Sequence, residues 1–130
     1  MDAIDKRILE ILSKDSRKKY VDLAREVGLT EGAIRRRVGS LVRSNVIRKF
    51  TIETSVELEG IVLIETEPNK TADVTSRLRK IADKVFEVSG DYDVAAIIRA
   101  YTIEDLNREI DRIRNISFIL NTRTLIKLKD

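Results

Sequence analysis

The sequence of 130 residues contains no cysteine, no histidine and no glutamine. Without cysteine the chain can form no disulfide and offers no thiolate nucleophile. Without histidine it has neither an imidazole base nor the nitrogen ligands of an ordinary zinc site. These absences count against metalloenzymes and against nucleophilic catalysis of the usual kinds, and they favour a binding protein.

Long apolar runs are absent too, and none approaches the roughly 20 residues needed to span a bilayer. The N-terminal residues MDAIDKRILEILSK begin acidic and have helical periodicity, so they lack the basic and then apolar layout of a secretory signal. Pro68 is the only proline, and no low-complexity segment interrupts the chain. We therefore expect a protein with no membrane association and a cytoplasmic location.

The charge is unevenly distributed along the chain. Residues 1–52 carry 13 basic and 7 acidic side chains, a net charge of +6, whereas residues 53–130 carry 12 and 15, a net charge of −3. A basic surface attracts a polyanion such as DNA. Only the N-terminal part has the composition expected for such a partner.

Residues 20–42 contain two short apolar stripes at helical spacing. The first consists of Leu23, Ala24 and Val27, and the second of Ile34, Val38, Leu41 and Val42. Between them Gly28 can end a helix in the left-handed conformation, and Thr30 can cap the next helix with Glu31 beside it. A helix with a buried stripe at 2–14 precedes the pair, so the pattern predicts a three-helix domain with a helix-turn-helix.

The polar side of the second of these helices indicates a role in binding DNA. Gly32, Arg36, Ser40 and Arg43 point away from the predicted core, with Arg35 and Arg37 on the two flanks. Guanidinium groups pair with guanine edges or phosphates in the major groove. The arginine run can equally be a solvated face, but its place after a capped turn favours DNA contact. Gly32 and Gly39 indicate close backbone approach or a softer helix.

Flanking segments add further candidate contacts. Lys18 lies in a basic turn at 15–19 that either touches phosphates or is solvated, and Arg48 and Lys49 lie on a predicted strand at 46–52, the wing of the domain. The candidate DNA contacts are therefore Lys18, Thr30, Glu31, Gly32, Arg35, Arg36, Arg37, Ser40, Arg43, Arg48 and Lys49. We assign 1–52 to a DNA-binding domain and the acidic segment 53–60, which ends in Gly60, to a linker.

The remaining residues, 61–130, show the element order βαββαβ. Strands are predicted at 61–66, 85–89, 92–100 and 118–128. Thr71 is expected to cap the first helix, and Leu106, Ile110 and Ile113 form the buried stripe of the second. This order folds as a four-stranded antiparallel sheet with both helices on one face, the ferredoxin-like arrangement. The chain is thus α+β: a three-helix, winged helix-turn-helix followed by a ferredoxin-like domain.

Apolar residues occur on both alternating faces of the predicted strands. Val94, Ala96 and Ile98 alternate with Ala95 and Ile97 in the third strand. Since the helices cover only one face of the sheet, the other must be solvated or buried against another subunit. We expect that face to be an oligomer interface.

Several segments, taken in order, resemble the Lrp/AsnC family of transcriptional regulators of bacteria and archaea. They are MDAIDKRILEIL, DLAREVGLT, IRRRVGSL, SGDYDVAAIIR and NTRTLIKL. The resemblance covers nearly the whole chain and is of an archaeal kind. It implies an N-terminal helix-turn-helix and a C-terminal ferredoxin-like domain that forms homodimers, commonly assembled into tetramers or octamers, and that often binds an amino acid as effector.

The resemblance also implies an effector site between dimers, formed by Gly90, Asp91, Tyr92 and Asp93 with Thr122 and Thr124. The chemistry is reasonable because glycine admits close backbone approach, a carboxylate pairs with an ammonium group, and hydroxyls bond either end of an amino acid. The alternative is that Gly90 and Asp91 only form the turn between two strands.

The sequence thus predicts a sequence-specific regulator that binds double-stranded DNA as a homo-oligomer and responds to an amino acid, without a cofactor or a metal. One alternative is an architectural protein that coats DNA without an effector. A remote alternative is an enzyme that uses Asp91 and Asp93 as an acid/base or metal pair, for which no histidine, cysteine or phosphate loop provides support. We expect no enzymatic activity.

Overall fold

The computed structural model describes all 130 residues. They divide into two compact units, Met1–Glu53 and Thr54–Asp130. No helix in either unit has the length and apolar character required to cross a membrane. Each unit has its own hydrophobic core.

The N-terminal unit contains three helices, α1 (Ala3–Lys14), α2 (Tyr20–Val27) and α3 (Glu31–Arg43). Asp2 and Asp5 form a capping box at the start of α1. Gly28 ends α2 in the left-handed conformation with φ 74°, and Thr30 caps α3, as predicted. The core contains most of the predicted apolar stripes: Ile8, Ile11, Leu12, Leu23, Ala24, Ile34, Val38 and Leu41. Val27 is partly buried against it, whereas Val42, predicted in the second stripe, is 45% exposed because it lies on the outer side of the last turn of α3. The three-helix arrangement with its helix-turn-helix is confirmed.

The strand predicted at 46–52 is not present, so the prediction of a wing strand was wrong. Asn45 takes the left-handed conformation with φ 61°, and the backbone N–H groups of Val46 and Ile47 both donate to the carbonyl of Leu41. These bonds close the C-terminus of α3. The rest of the segment pairs with no other strand, because no second strand exists within this unit to supply partners.

The C-terminal unit contains β1 (Leu58–Thr66), α4 (Thr71–Leu78), β2 (Lys84–Glu87), β3 (Val94–Ala100), α5 (Ile103–Arg114) and β4 (Ile119–Ile126). The sheet order is β2-β3-β1-β4, and every neighbouring pair is antiparallel. The predicted ferredoxin-like arrangement is confirmed.

The two faces of the sheet differ in what covers them. Val62, Ile64, Val94, Ala96 and Ile98 pack with apolar residues of α4 and α5 in a single core. The opposite alternation forms what we call the open sheet face, which contains the apolar residues Ile61, Leu63, Phe86, Ala95, Ile97 and Leu125. Nothing in the unit packs over this face in the way that the two helices cover the other.

Two local predictions in this unit were wrong. The segment 58–60, assigned to the linker, belongs to β1, where Gly60 pairs with Ile98 and Ile126. A Cβ at Gly60 would lie 3.3 Å from Ile126 Cδ1, so this glycine leaves room for a neighbouring side chain within the sheet. It does not mark the end of a linker. Thr71 does not cap α4, because Lys70 is the cap residue and the Thr71 hydroxyl instead bonds the Thr66 hydroxyl at 2.7 Å.

Candidate DNA-contact and effector sites

The N-terminus of α3 is built by a side-chain cap. Thr30 Oγ1 accepts a hydrogen bond from the backbone N–H of Ala33 at 3.1 Å. Glu31 follows in the first turn, where a carboxylate is favoured by the helix dipole. The cap fixes the residue at which α3 begins. The other N–H groups of the first turn are free to bind a ligand that approaches this end of the helix.

The side of α3 opposite the core is polar and accessible. Ile34, Val38 and Leu41 are buried on the inner side of the helix. The outward face consists of Gly32, Arg36, Ser40 and Arg43, all of which are exposed. Arg36 and Arg43 take part in no ion pair, whereas both flanking arginines do. The outward face therefore presents two uncompensated guanidinium groups and one hydroxyl, as the sequence predicted.

Arg35 is on one flank and is already partly engaged. Its Nη2 lies 3.0 Å from Glu31 Oε1, and its guanidinium lies 5.2 Å from the centroid of the Tyr20 ring. Both charged side chains remain more than half exposed. Such a surface pair is weak and exchanges readily with water or another anion, so Arg35 stays available to a phosphate.

Arg37 lies on the other flank, as predicted, and its guanidinium is engaged by carboxylates at the start of α1. Its Nη1 lies 2.7 and 2.8 Å from the two carboxylate oxygens of Asp2 and 3.1 Å from Asp5 Oδ1. The hydrogen bond from Arg37 and that from the Asp5 backbone lower the pKa of Asp2 below its ordinary value of 3.8. The same two carboxylates raise the pKa of Arg37. Arg37 thus binds the start of α1.

The predicted phosphate contacts outside α3 divide into two kinds. Lys18 makes an ion pair with Glu26, and its side chain is only 25% exposed, so it is less accessible to a phosphate than Arg35. Arg48 and Lys49 are exposed, take part in no ion pair and lie in the extended segment after α3. They are positioned by the turn at Leu41 and not, as predicted, by a strand.

The loop between β2 and β3 contains the four candidate effector residues of the GDYD motif. Gly90 has φ 123°, and a Cβ there would meet nothing within 4 Å, so conformation and not space requires the glycine. Asp91 is exposed, Tyr92 is half-buried, and Asp93 Oδ2 accepts a hydrogen bond from the Thr66 N–H at 2.8 Å. The loop can serve both as a turn between two strands and as part of an effector site, because only the Asp93 side chain is engaged in a hydrogen bond within the chain.

Asp91 and Asp93 line a cleft of about 310 Å³ at the end of β1. The acidic cleft, as we call it, is lined by Glu65, Thr66, Glu67, Pro68, Thr71, Asp91, Asp93 and Leu120. Glu65 and Glu67 were not among the predicted site residues. Glu65 belongs to β1 and Glu67 follows its last residue, and the pairing of β1 with β3 brings both beside the loop.

Thr122 and Thr124, predicted to join the same site, do not line the acidic cleft. They lie on β4 opposite Ile64 and Val62, and therefore on the face that α4 and α5 cover. Thr124 Oγ1 is inaccessible to solvent and has no hydrogen-bond partner. Within one chain, the six predicted effector residues are therefore not brought together in a single pocket. No group of three or more acidic residues is arranged to hold a metal ion.

Comparison with known proteins gives the same two units. The family model of the AsnC-type helix-turn-helix domain matches residues 1–42, and that of the Lrp/AsnC ligand binding domain matches residues 59–130. The HTH-type transcriptional regulator LysM of Saccharolobus solfataricus is 38% identical over 134 residues, which cover 99% of this chain and 94% of the relative.

Solved structures agree with the fold. The crystal structure of PH0061 superimposes with a TM-score of 0.87 at 26% identity, covering 100% of this chain and 94% of that one. The structure of Escherichia coli AsnC superimposes with a TM-score of 0.70 at 22% identity, covering 100% of this chain and 93% of that one. At such identity the second likeness is one of fold.

Proposed function

Since the chain belongs to the Lrp/AsnC family of transcriptional regulators, we propose that it recognises specific DNA sequences through α3 and that an amino acid modulates this binding. The family, like the relative LysM named above, consists of transcriptional regulators and not of enzymes. The chain joins the DNA-binding unit to a ligand-binding domain of the same family. The identity of the DNA sequence and of the effector belongs to the proposal.

The observation that carries the DNA part is the outward face of α3. Arg36 and Arg43 are exposed and without an ion-pair partner, and they follow a capped helix start. A helix placed in the major groove with its N-terminal residues toward the base edges can direct an arginine to guanine O6 and N7. Arg48 and Lys49 add charge close in sequence to the end of the same helix, suited to the DNA backbone.

Oligomerisation belongs to the same proposal. On the open sheet face Phe86 is 41% exposed and Leu125 is 50% exposed. Exposed apolar patches of this kind are typical of surfaces that bind another protein. A homodimer, or a tetramer or octamer built from it, would bury this apolar surface. A two-fold dimer presents two copies of α3 to half-sites about one DNA turn, or a multiple of it, apart.

The acidic cleft supports the effector part. Its carboxylates suit the ammonium group of an amino acid, but no lysine or arginine lines it to receive the α-carboxylate. A complete site therefore needs donors from elsewhere, such as the backbone at Gly90 or hydroxyls of a neighbouring subunit. Thr122 and Thr124 lie on the helix-covered face and do not reach the cleft of their own chain, so the cleft supports the effector proposal without them.

Footprinting tests the DNA part. Fragments selected from genomic DNA by the purified protein should show protection with dyad symmetry and helical phasing. Protection that spreads evenly from any starting point would refute sequence-specific binding.

Analytical ultracentrifugation and thermal shift with each of the twenty amino acids test the effector part. One or a few amino acids should change the mass or raise Tm, because a ligand that binds the folded state stabilises it. A mass and a Tm that no amino acid changes would refute the effector and leave the DNA-binding oligomer in place.

A further inference from the structure

Arg37 links α3 to the start of α1. It lies in the middle of α3, and its Nη1 contacts three carboxylate oxygens at the start of α1, two from Asp2 and one from Asp5. Its side chain is 30% exposed, and that of Asp5 is 17% exposed. A partly buried, charge-assisted contact of this kind is more restrictive than an ion pair between two fully solvated side chains.

The carboxylates are themselves held in place. Asp2 Oδ1 accepts from the Asp5 N–H at 2.8 Å, and Asp5 Oδ2 accepts from the Asp2 N–H at 3.3 Å. The capping box therefore holds the carboxylates of Asp2 and Asp5 in place independently of their contact with Arg37. Arg37 is thereby joined to a rigid frame.

We propose that Asp2 and Asp5 hold Arg37 so that α3 presents its outward face to DNA at a fixed angle, which makes Arg37 a positioning residue and not a DNA contact. The inference rests on the proposed DNA contact of α3. Under this proposal, specificity for DNA sequence depends in part on the contact between α1 and α3, which lies beside the outward face of α3.

The direction in which operator affinity changes when the charges of Asp2 and Asp5 are removed distinguishes positioning from simple electrostatic repulsion. Two negative charges close to α3 repel DNA, so their removal alone should strengthen binding to every sequence. If the carboxylates position α3, their removal should instead weaken binding to the operator, because misplaced base contacts are lost. The two accounts thus predict opposite changes for the same variant.

The test is the double variant Asp2→Asn with Asp5→Asn in the full chain. Asparagine is as good a helix cap as aspartate and keeps an acceptor oxygen, so the capping box is preserved while both charges are removed. We expect operator affinity to fall roughly tenfold, within the range of coupling between contacting residues. Affinity for random DNA should stay level or rise, and circular dichroism should show unchanged helix content.

Arg37→Met and Arg36→Met provide a matched pair within one helix. Arg37→Met should lower operator affinity in the wild-type background but add little in the double-asparagine background, since both changes break the same contact. Arg36→Met should lower operator affinity by a similar factor in both backgrounds. Arg37→Lys keeps the charge and a donor, and we expect it to restore most of the affinity lost in Arg37→Met.

Three outcomes would overturn the inference. One is a double-asparagine variant that binds operator and random DNA more tightly by the same factor. Another is Arg37→Met reducing the slope of log affinity against log salt by about 0.9, the value for one lost phosphate contact. The third is Arg37→Lys that binds as poorly as Arg37→Met. Wild-type protein that binds all DNA equally would refute the proposed function as well.

Discussion

The carboxylate of Asp93 accepts a hydrogen bond from the backbone N–H of Thr66 at 2.8 Å and so joins the loop before β3 to the last residue of β1. The Thr66 hydroxyl lies 3.4 Å from the same oxygen. Asp93 in turn donates its own N–H to the carbonyl of Ile64. The loop that borders the acidic cleft is therefore fixed to the sheet by both the side chain and the backbone of one residue.

This arrangement predicts different roles for the two aspartates of the cleft. Asp93→Ala leaves the Thr66 N–H without its partner and should lower the free energy of unfolding by about 1–3 kcal/mol. Asp91 is exposed and has no hydrogen-bond partner, so Asp91→Ala should leave stability nearly unchanged while weakening the response to the effector. Urea unfolding measures the first effect and ligand-induced thermal shift the second. Equal stability of the two variants would contradict the structural role of Asp93.

Gly32 predicts opposite effects on folding and on binding. A Cβ at Gly32 would meet nothing within 4 Å in the free chain. Gly32→Ala should therefore stabilise α3 by about 1 kcal/mol, the difference in helix propensity. If the glycine is present for close approach to DNA, the same change should weaken operator binding. Chemical unfolding and a DNA titration of the one variant test both, and a variant that is more stable and binds DNA unchanged would remove the functional reason for Gly32.

Acid should weaken the N-terminal unit through Asp2. The Arg37 hydrogen bond lowers the pKa of Asp2 in the folded chain below 3.8, so the contribution is fully present above that value and is lost as the pH falls through the lowered pKa. Asp2→Asn should flatten the decline in the free energy of unfolding as the pH falls below 3.8. The measurement is denaturant unfolding at a series of pH values. Identical pH dependence in the two proteins would contradict the contribution.

Three basic residues should differ in their effects on DNA binding. Arg36→Ala should cost about 1–3 kcal/mol on the operator and little on random DNA, as for a base contact. Lys49→Ala should weaken all DNA alike and reduce the salt slope by about 1. Lys18→Ala should have the smallest effect, because the lysine is paired with Glu26 and only 25% exposed. Equal losses on operator and random DNA for Arg36→Ala would show that it contacts only phosphate.

Much of the fold could be predicted because local rules and tertiary structure agree. The apolar stripes, the left-handed Gly28 and the Thr30 cap locate α2 and α3 without knowledge of any distant contact. The alternation of strands and helices likewise allows few topologies. Where prediction failed, a distant partner was decisive: the segment after Asn45 lacked a second strand, and Gly60 was taken for a linker residue although it faces Ile126.

The candidate sites were harder to predict for the same reason. Helical periodicity showed that Arg37 lies on a flank of α3, but only the packing of α1 brings Asp2 and Asp5 to it. The motif located Asp91 and Asp93, whereas Glu65 and Glu67 join them through strand pairing. The faces to which Thr122 and Thr124 point follow from the register of β4, which one sequence does not contain.

The central claim is that α3 reads DNA sequence, and a competition titration tests it most directly. Labelled operator, selected from genomic DNA, is bound by the wild-type protein at physiological salt and challenged with unlabelled random DNA. The account predicts that half-displacement needs a large molar excess of random sites, on the order of 10³ or more, as for other specific DNA-binding proteins. Displacement at an equal concentration of sites would contradict the account and identify the protein as a non-specific DNA-coating protein.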